Sequence, residues 1–66
     1  MDTETLTKLL KEAEEHHGPY EAEAPPHHWS GFYAAYITAR GEGRPAEEAD
    51  REARRYMDAL LAEPPQ

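Results

Sequence analysis

The sequence predicts an all-α fold: three short helices, over residues 3–17, 27–40 and 45–61, with a proline-rich strap between the first and second. Three observations predict it. Apolar side chains recur at helical spacing in three separate segments. Clusters of glycine and proline divide those segments. Acidic side chains crowd the two outer segments and nearly vanish from the middle one, which marks the middle helix as the core element.

In the first segment Leu6, Leu9, Leu10 and Ala13 fall at i, i+3, i+4 and i+7, one face of a helix. Glu4 with Lys8, and Lys11 with Glu15, are pairs at helical spacing on its surface. Gly18-Pro19 is predicted to end this helix, with glycine just past the C-cap and proline unable to continue. Residues 18–26, Gly-Pro-Tyr-Glu-Ala-Glu-Ala-Pro-Pro, then read as an extended, semi-rigid strap. Tyr20 is its large apolar group and the expected pin to the helices.

The second helix is predicted from His27 to Arg40. Trp29, Phe32, Tyr33, Tyr36, Ile37 and Arg40 define a stripe roughly 140° wide at about 100° per residue. Gly31, Ala34, Ala35 and Thr38 cover much of the remaining circumference, and small residues let a second backbone approach. Residues 1–23 carry seven acids and two bases, residues 24–45 one acid and two bases, and residues 46–66 six acids and three bases.

Gly41-Glu42-Gly43-Arg44 reads as a turn, and Pro45 suits the first position of the third helix. Glu47 and Glu48 lie in its first turn, where the helix dipole favours carboxylates. Ala49, Ala53, Tyr56, Met57, Leu60 and Leu61 form its apolar face. Glu47–Arg51, Asp50–Arg54 and Arg54–Asp58 are charge pairs on its outer side. Residues 62–66, with Pro64 and Pro65, are expected to be a disordered tail. The short turn makes the second and third helices antiparallel. The pattern leaves open whether the first helix folds onto its own chain or onto another copy.

A 66-residue chain is one small domain. At this size folding buries only about 60% of the surface the unfolded chain exposes, so the core is marginal. There are no cysteines, which excludes disulfides, thiolate metal sites and thiol catalysis. The formal charge of −7 argues against nucleic acid and anionic membranes as partners. No apolar run approaches the roughly 18 residues of a membrane span. The start, Met1-Asp2-Thr3-Glu4, lacks the basic and apolar regions of a secretory signal, so a cytoplasmic location is the expectation.

Two histidine doublets, His16-His17 and His27-His28, flank the predicted strap. If the strap folds back they approach each other, with Glu12, Glu21 and Glu23 nearby. Imidazole with carboxylate suits zinc, nickel or copper. Adjacent histidines on a helix point about 100° apart, so each doublet offers one ligand to a given ion. The spacing matches no established zinc pattern. The plainer reading sets His16 and His17 at a helix C-terminus, complementing the dipole. It gives His27 and His28 a capping or stacking role. No cofactor is expected beyond a divalent transition metal at these histidines.

Trp29, Phe32, Tyr33, Tyr36 and Arg40 are the candidate interface residues. Their spacing is that of a buried face, yet three short helices have little surface with which to cover so many rings. The remainder suits a subunit or partner interface, where Trp, Tyr and Arg concentrate. Arg40, on the stripe itself, is placed to stack on a ring or to bridge to a carboxylate of helix 1 or 3. Ser30 lacks an oxyanion loop, and Gly41-x-Gly43 is too short to cradle phosphate. No catalytic residue is assigned, and a hydrolytic or phosphoryl-transfer enzyme is not expected. An active site assembled between subunits, with histidines as acid and base, is the remaining enzymatic reading.

The stretches His16-His17-Gly18-Pro19-Tyr20-Glu21, His27-His28-Trp29, Tyr33-Ala34-Ala35-Tyr36-Ile37-Thr38-Ala39-Arg40 and Gly43-Arg44-Pro45-Ala46-Glu47-Glu48-Ala49 carry a resemblance. Over about residues 10–57 the chain resembles short bacterial helical segments found alone or alongside glyoxalase/bleomycin-resistance-type proteins. The resemblance implies an accessory module and transfers no catalytic residue. The functional expectation is therefore a non-enzymatic helical module that self-associates or docks onto a partner protein through the aromatic face of helix 2. The alternative is a histidine-dependent metal or small-ligand binding protein.

Overall fold

A computed structural model describes residues 1–62 of the chain. Its three helices are α1 (Thr3–Glu23), α2 (Trp29–Gly41) and α3 (Ala46–Ala62), and there is no strand among the described residues. The all-α expectation therefore holds. Of the tail expected over residues 62–66, Ala62 is the last residue of α3 and the others lie outside the described residues.

Asp2 starts α1 by accepting the backbone N–H of Thr5 at 2.7 Å. That hydrogen bond holds its carboxyl below the usual carboxylate range. The helix does not stop at His17. It runs on through Gly18 and Pro19 to Glu23, which corrects both its predicted end and the nine-residue strap. Gly18 and Pro19 fall on the solvent face, so water can reach the Glu15 carbonyl that the proline leaves without an N–H partner. On the inner face Leu9, Ala13, His17 and Tyr20 continue one buried stripe. A proline inside a helix costs about 3 kcal/mol. Fully burying a large ring gains roughly 1.5–3 kcal/mol, a gain of the same order as that cost, so Tyr20, only 5% exposed, helps to carry the helix past the break.

The effective stop is Ala24, extended at φ −93° and ψ 157° because Pro25 follows it. The connector is thus the short run 24–28. His28 is the N-cap of α2, whose first residue, Trp29, is two residues later than the sequence suggested. At the far end the N–H of Arg44 donates to the Ala39 carbonyl and that of Gly43 to Arg40, a Schellman closure. Gly43 holds φ +94° there, the left-handed conformation that favours glycine.

The helices are joined in sequence by short connections, and α2 packs against both α1 and α3. Helix 1 therefore lies on its own chain. The core is Ala13, Tyr20, Phe32, Tyr36, Ala39, Ala49, Ala53 and Met57, with Phe32 and Tyr36 wholly enclosed. Alanines on α3 bring that helix close. A Cβ on Gly31 would sit 2.9 Å from the Met57 sulfur, so the absence of a side chain there sets the α2–α3 approach. No helix among the described residues is long and apolar enough to cross a membrane.

Candidate functional site

Two polar ties fix α1 against its neighbours and account for three of the side chains singled out by the sequence. Tyr36 donates its phenol to Glu12 Oε1 at 2.7 Å, and Arg40 Nε donates to the same oxygen at 3.0 Å. Arg40 Nη1 also donates to the Arg44 carbonyl at 3.0 Å, joining the α2–α3 turn to α1. The hydrogen bonds from Arg40 and Tyr36 hold the Glu12 carboxyl below its usual range. Burial, then the bond to Glu12, pushes the Tyr36 phenol up to about 12. The expected bridge from Arg40 to a helix 1 carboxylate is present.

The second tie runs from α1 to α3. His16 Nδ1 lies 3.0 Å from Asp50 Oδ1, and since a carboxylate only accepts, this nitrogen carries the proton. Arg54 Nε donates to the other Asp50 oxygen at 2.8 Å, forming one of the expected charge pairs of α3. The His16 ring also lies 5.0 Å from Tyr36, tilted by 31°.

The doublets do approach, one ring from each. His17, 7% exposed, places Nε2 3.0 Å from His27 Nε2. His27 Nδ1 lies 2.8 Å from the Pro25 carbonyl and must donate to it, so its Nε2 accepts. His17 therefore carries its proton on Nε2, leaving Nδ1 to face Glu21 Oε2 at 3.8 Å. The two remaining histidines turn elsewhere. His16 binds Asp50, while His28 Nδ1 accepts the Ser30 N–H at 3.2 Å as the cap of α2. His28 also stacks on Trp29 at 5.1 Å. The four histidines thus do not converge. Among the described residues no group of three or more His, Cys, Asp or Glu side chains is arranged to hold a metal. Capping and stacking account for His28, whereas His16 and His17 lie well inside α1 rather than at its C-terminus.

The five candidate interface residues divide. Phe32 and Tyr36 are 0% exposed, inside the core of the single chain, and Arg40 is tied to Glu12 and Arg44. These three are held within one molecule, as the spacing of a buried face implied. Trp29 is 53% exposed, with its ring 5.0 Å from that of half-buried Tyr33 and at 67° to it. The two rings stand above an open recess of about 440 Å³ between α1 and α2, lined by Glu14, His17, Gly18, Glu21, Trp29 and Tyr33. Burial raises the Tyr33 phenol, and the charges of Glu14 and Glu21 raise it further. Sequence spacing could have found this recess once α1 was extended, since Glu14 and Glu21 are seven residues apart on one side of it.

A second feature had no signal in the sequence. Tyr20 Oη is buried without a hydrogen-bond partner, beside a recess of about 270 Å³ lined by Glu23, Ala24, Pro25, Arg54 and Asp58. The Arg54 guanidinium lies 5.6 Å from the centre of the Tyr20 ring. A groove of about 360 Å³ between α2 and α3 has Ala34, Ala35, Thr38 and Ala39 on its α2 side and Tyr56 and Glu52 on its α3 side.

Compared with protein-family models, curated proteins and solved structures, the chain matches none.

Proposed function

We propose that this chain is a non-enzymatic helical interaction module that docks onto a partner protein through the open aromatic end of α2, at Trp29 and Tyr33. One observation carries the reading. The largest aromatic side chain of the molecule stands 53% exposed, while its α2 neighbours Phe32 and Tyr36 are fully enclosed. Exposed tryptophan beside tyrosine is characteristic of the residues that dominate binding energy at protein interfaces. The resemblance to accessory helical segments points the same way. The formal charge of −7 opposes the approach of a second copy and favours a partner of opposite charge, so self-association is the lesser form of this reading.

Sedimentation velocity together with tryptophan emission tests it, because Trp29 is the single tryptophan. Docking or self-association should move the emission to shorter wavelength as water leaves the indole. Trp29→Ala should remain helical and fail to associate. A chain that stays monomeric, retains no partner and keeps a water-exposed indole at every concentration would overturn the proposal.

A second reading, histidine-dependent binding of a divalent metal, is supported by the 3.0 Å approach of His17 and His27. Neutral imidazole nitrogens at that separation can turn toward one ion, with water or Glu21 completing the coordination. Native mass spectrometry of tag-free protein with added zinc tests this reading. Stoichiometric metal lost in His17→Gln supports it, and metal-free protein sets it aside.

A further inference from the structure

The recess beneath Trp29 and Tyr33 combines two kinds of group that are ordinarily kept apart. From α2 come two aromatic rings, four residues apart and 67° from coplanar, which form the walls of a corner. From α1 come Glu14 and Glu21, on the same side of the helix as His17 and Gly18. The lining holds two carboxylates and neither Lys nor Arg. A Cβ on Gly18 would meet nothing within 4 Å, so the α1 side of the recess is left open.

Aromatic faces attract cations through their negative quadrupole, and carboxylates supply full counter-charge. An apolar guest would strip water from both carboxylates without repaying them. A small hard cation would seek six or more oxygen ligands, which this lining does not offer. An organic cation satisfies both halves at once, with its carbon surface on the rings and its charge toward the acids. Glu21 retains 67% side-chain exposure and Trp29 stands 53% exposed, so the recess is shallow. It suits the tip of a side chain carried on a larger surface better than a free molecule, which a pocket would enclose more fully.

We propose that this recess binds an organic cation, the ammonium or guanidinium head of a lysine or arginine side chain presented by a partner protein, between the rings of Trp29 and Tyr33 and the carboxylates of Glu14 and Glu21. The inference rests on the docking role proposed above and names the chemistry by which that face recognises its partner. His17 lies on the inner side of the recess, with its unprotonated Nδ1 3.8 Å from Glu21 Oε2 and no hydrogen bond to that carboxylate. Its other nitrogen is committed to His27.

Titration of the full chain with four probes, read by the emission of Trp29, tests the proposal. The probes are a capped Gly-Lys-Gly peptide, its arginine counterpart, choline, and the uncharged tert-butyl isostere of choline. Saturable changes with the two peptides, and none with the isostere, are expected. The double variant Glu14→Gln and Glu21→Gln should weaken peptide binding at least about fivefold with helicity unchanged. Gly18→Met, which gains helix propensity and fills the recess, should abolish it.

Binding of the isostere as strongly as choline would overturn the proposal, as would unchanged affinity in the carboxamide variant. Binding of choline without either peptide would overturn the side-chain source. Association of the chain that depends on Trp29 but survives both the carboxamide and Gly18→Met variants would overturn the cation site and leave the docking role standing. Loss of association in Trp29→Ala alone therefore reports on docking, and the carboxamide variant reports on the cation.

Discussion

The Tyr36 phenol, at the centre of α2 and wholly enclosed, donates to Glu12 Oε1 on α1 at 2.7 Å, and Arg40 completes the carboxylate's coordination. Removing the two partners should have unequal effects. Tyr36→Phe leaves a carboxylate that is 35% exposed and can be rehydrated, so a loss of about 1 kcal/mol is expected. Glu12→Ala strands an enclosed hydroxyl and frees Arg40, and should cost about 2–3 kcal/mol. Urea denaturation of the two variants measures the difference. Equal losses would mean that the hydroxyl finds another acceptor.

The same pair contributes to the loss of stability at alkaline pH. Tyr36 titrates from an ordinary value of 10.0, raised to about 12 in the folded chain. A group whose folded value is raised contributes stability that is full below pH 10 and lost as pH climbs through about 12. That displacement is worth about 3 kcal/mol of preference for the neutral phenol. Thermal melts should therefore fall steeply between pH 10 and 12, and Tyr36→Phe should flatten the fall. The depressed Glu12 carboxyl acts in the opposite direction. Its contribution is present above its ordinary value of 4.5 and fades as pH drops through the lower folded value.

Tyr20→Phe should be neutral or stabilising by about 1 kcal/mol, because the hydroxyl it removes is buried and has no partner. Calorimetric melting of the variant is the check. A clear loss of stability would reveal a bound water or ligand at Tyr20 Oη in the recess beside Arg54.

The histidine pair makes a prediction about protons. Nitrogen NMR at neutral pH should find His17 protonated on Nε2 and His27 on Nδ1, the arrangement that the Pro25 carbonyl imposes. His27→Ala should cost about 1–2 kcal/mol, since a buried N–H of His17 then loses its acceptor. The reverse tautomers would contradict the direction of the chain.

Much of this architecture was legible in the amino-acid order. The apolar stripes located three helices, and the bridge from Arg40 to Glu12 is one of the alternatives that its place on the aromatic face left open. The end of α1 was misread because Gly18-Pro19 is a strong local stop signal, whereas Tyr20 continues the inner stripe of Leu9, Ala13 and His17. Burial along that whole stripe, not the local signal, decides where the helix ends. The site suffered from the same error. With α1 ended early, Glu21 belonged to a strap, and nothing set it on one helix face with Glu14. That the doublets meet was foreseeable, but which rings meet depends on helical phase. His16, about 100° round from His17, turns toward α3 instead.

The passage of α1 through Pro19 divides the recess between two parts of one helix. Glu14 stands before the interruption and Glu21 after it, on a stretch that ends where the Ala24 N–H donates to the Tyr20 carbonyl. A missing ladder bond lowers the free energy needed for that last turn to open without the rest of the bundle. Backbone amides near the end of α1 should then exchange with solvent far faster than those around Ala13. A cation clasped between Glu14 and Glu21 would fasten the loose turn to the firm one, so occupancy of the recess would be recorded as slowed exchange in the helix that carries it.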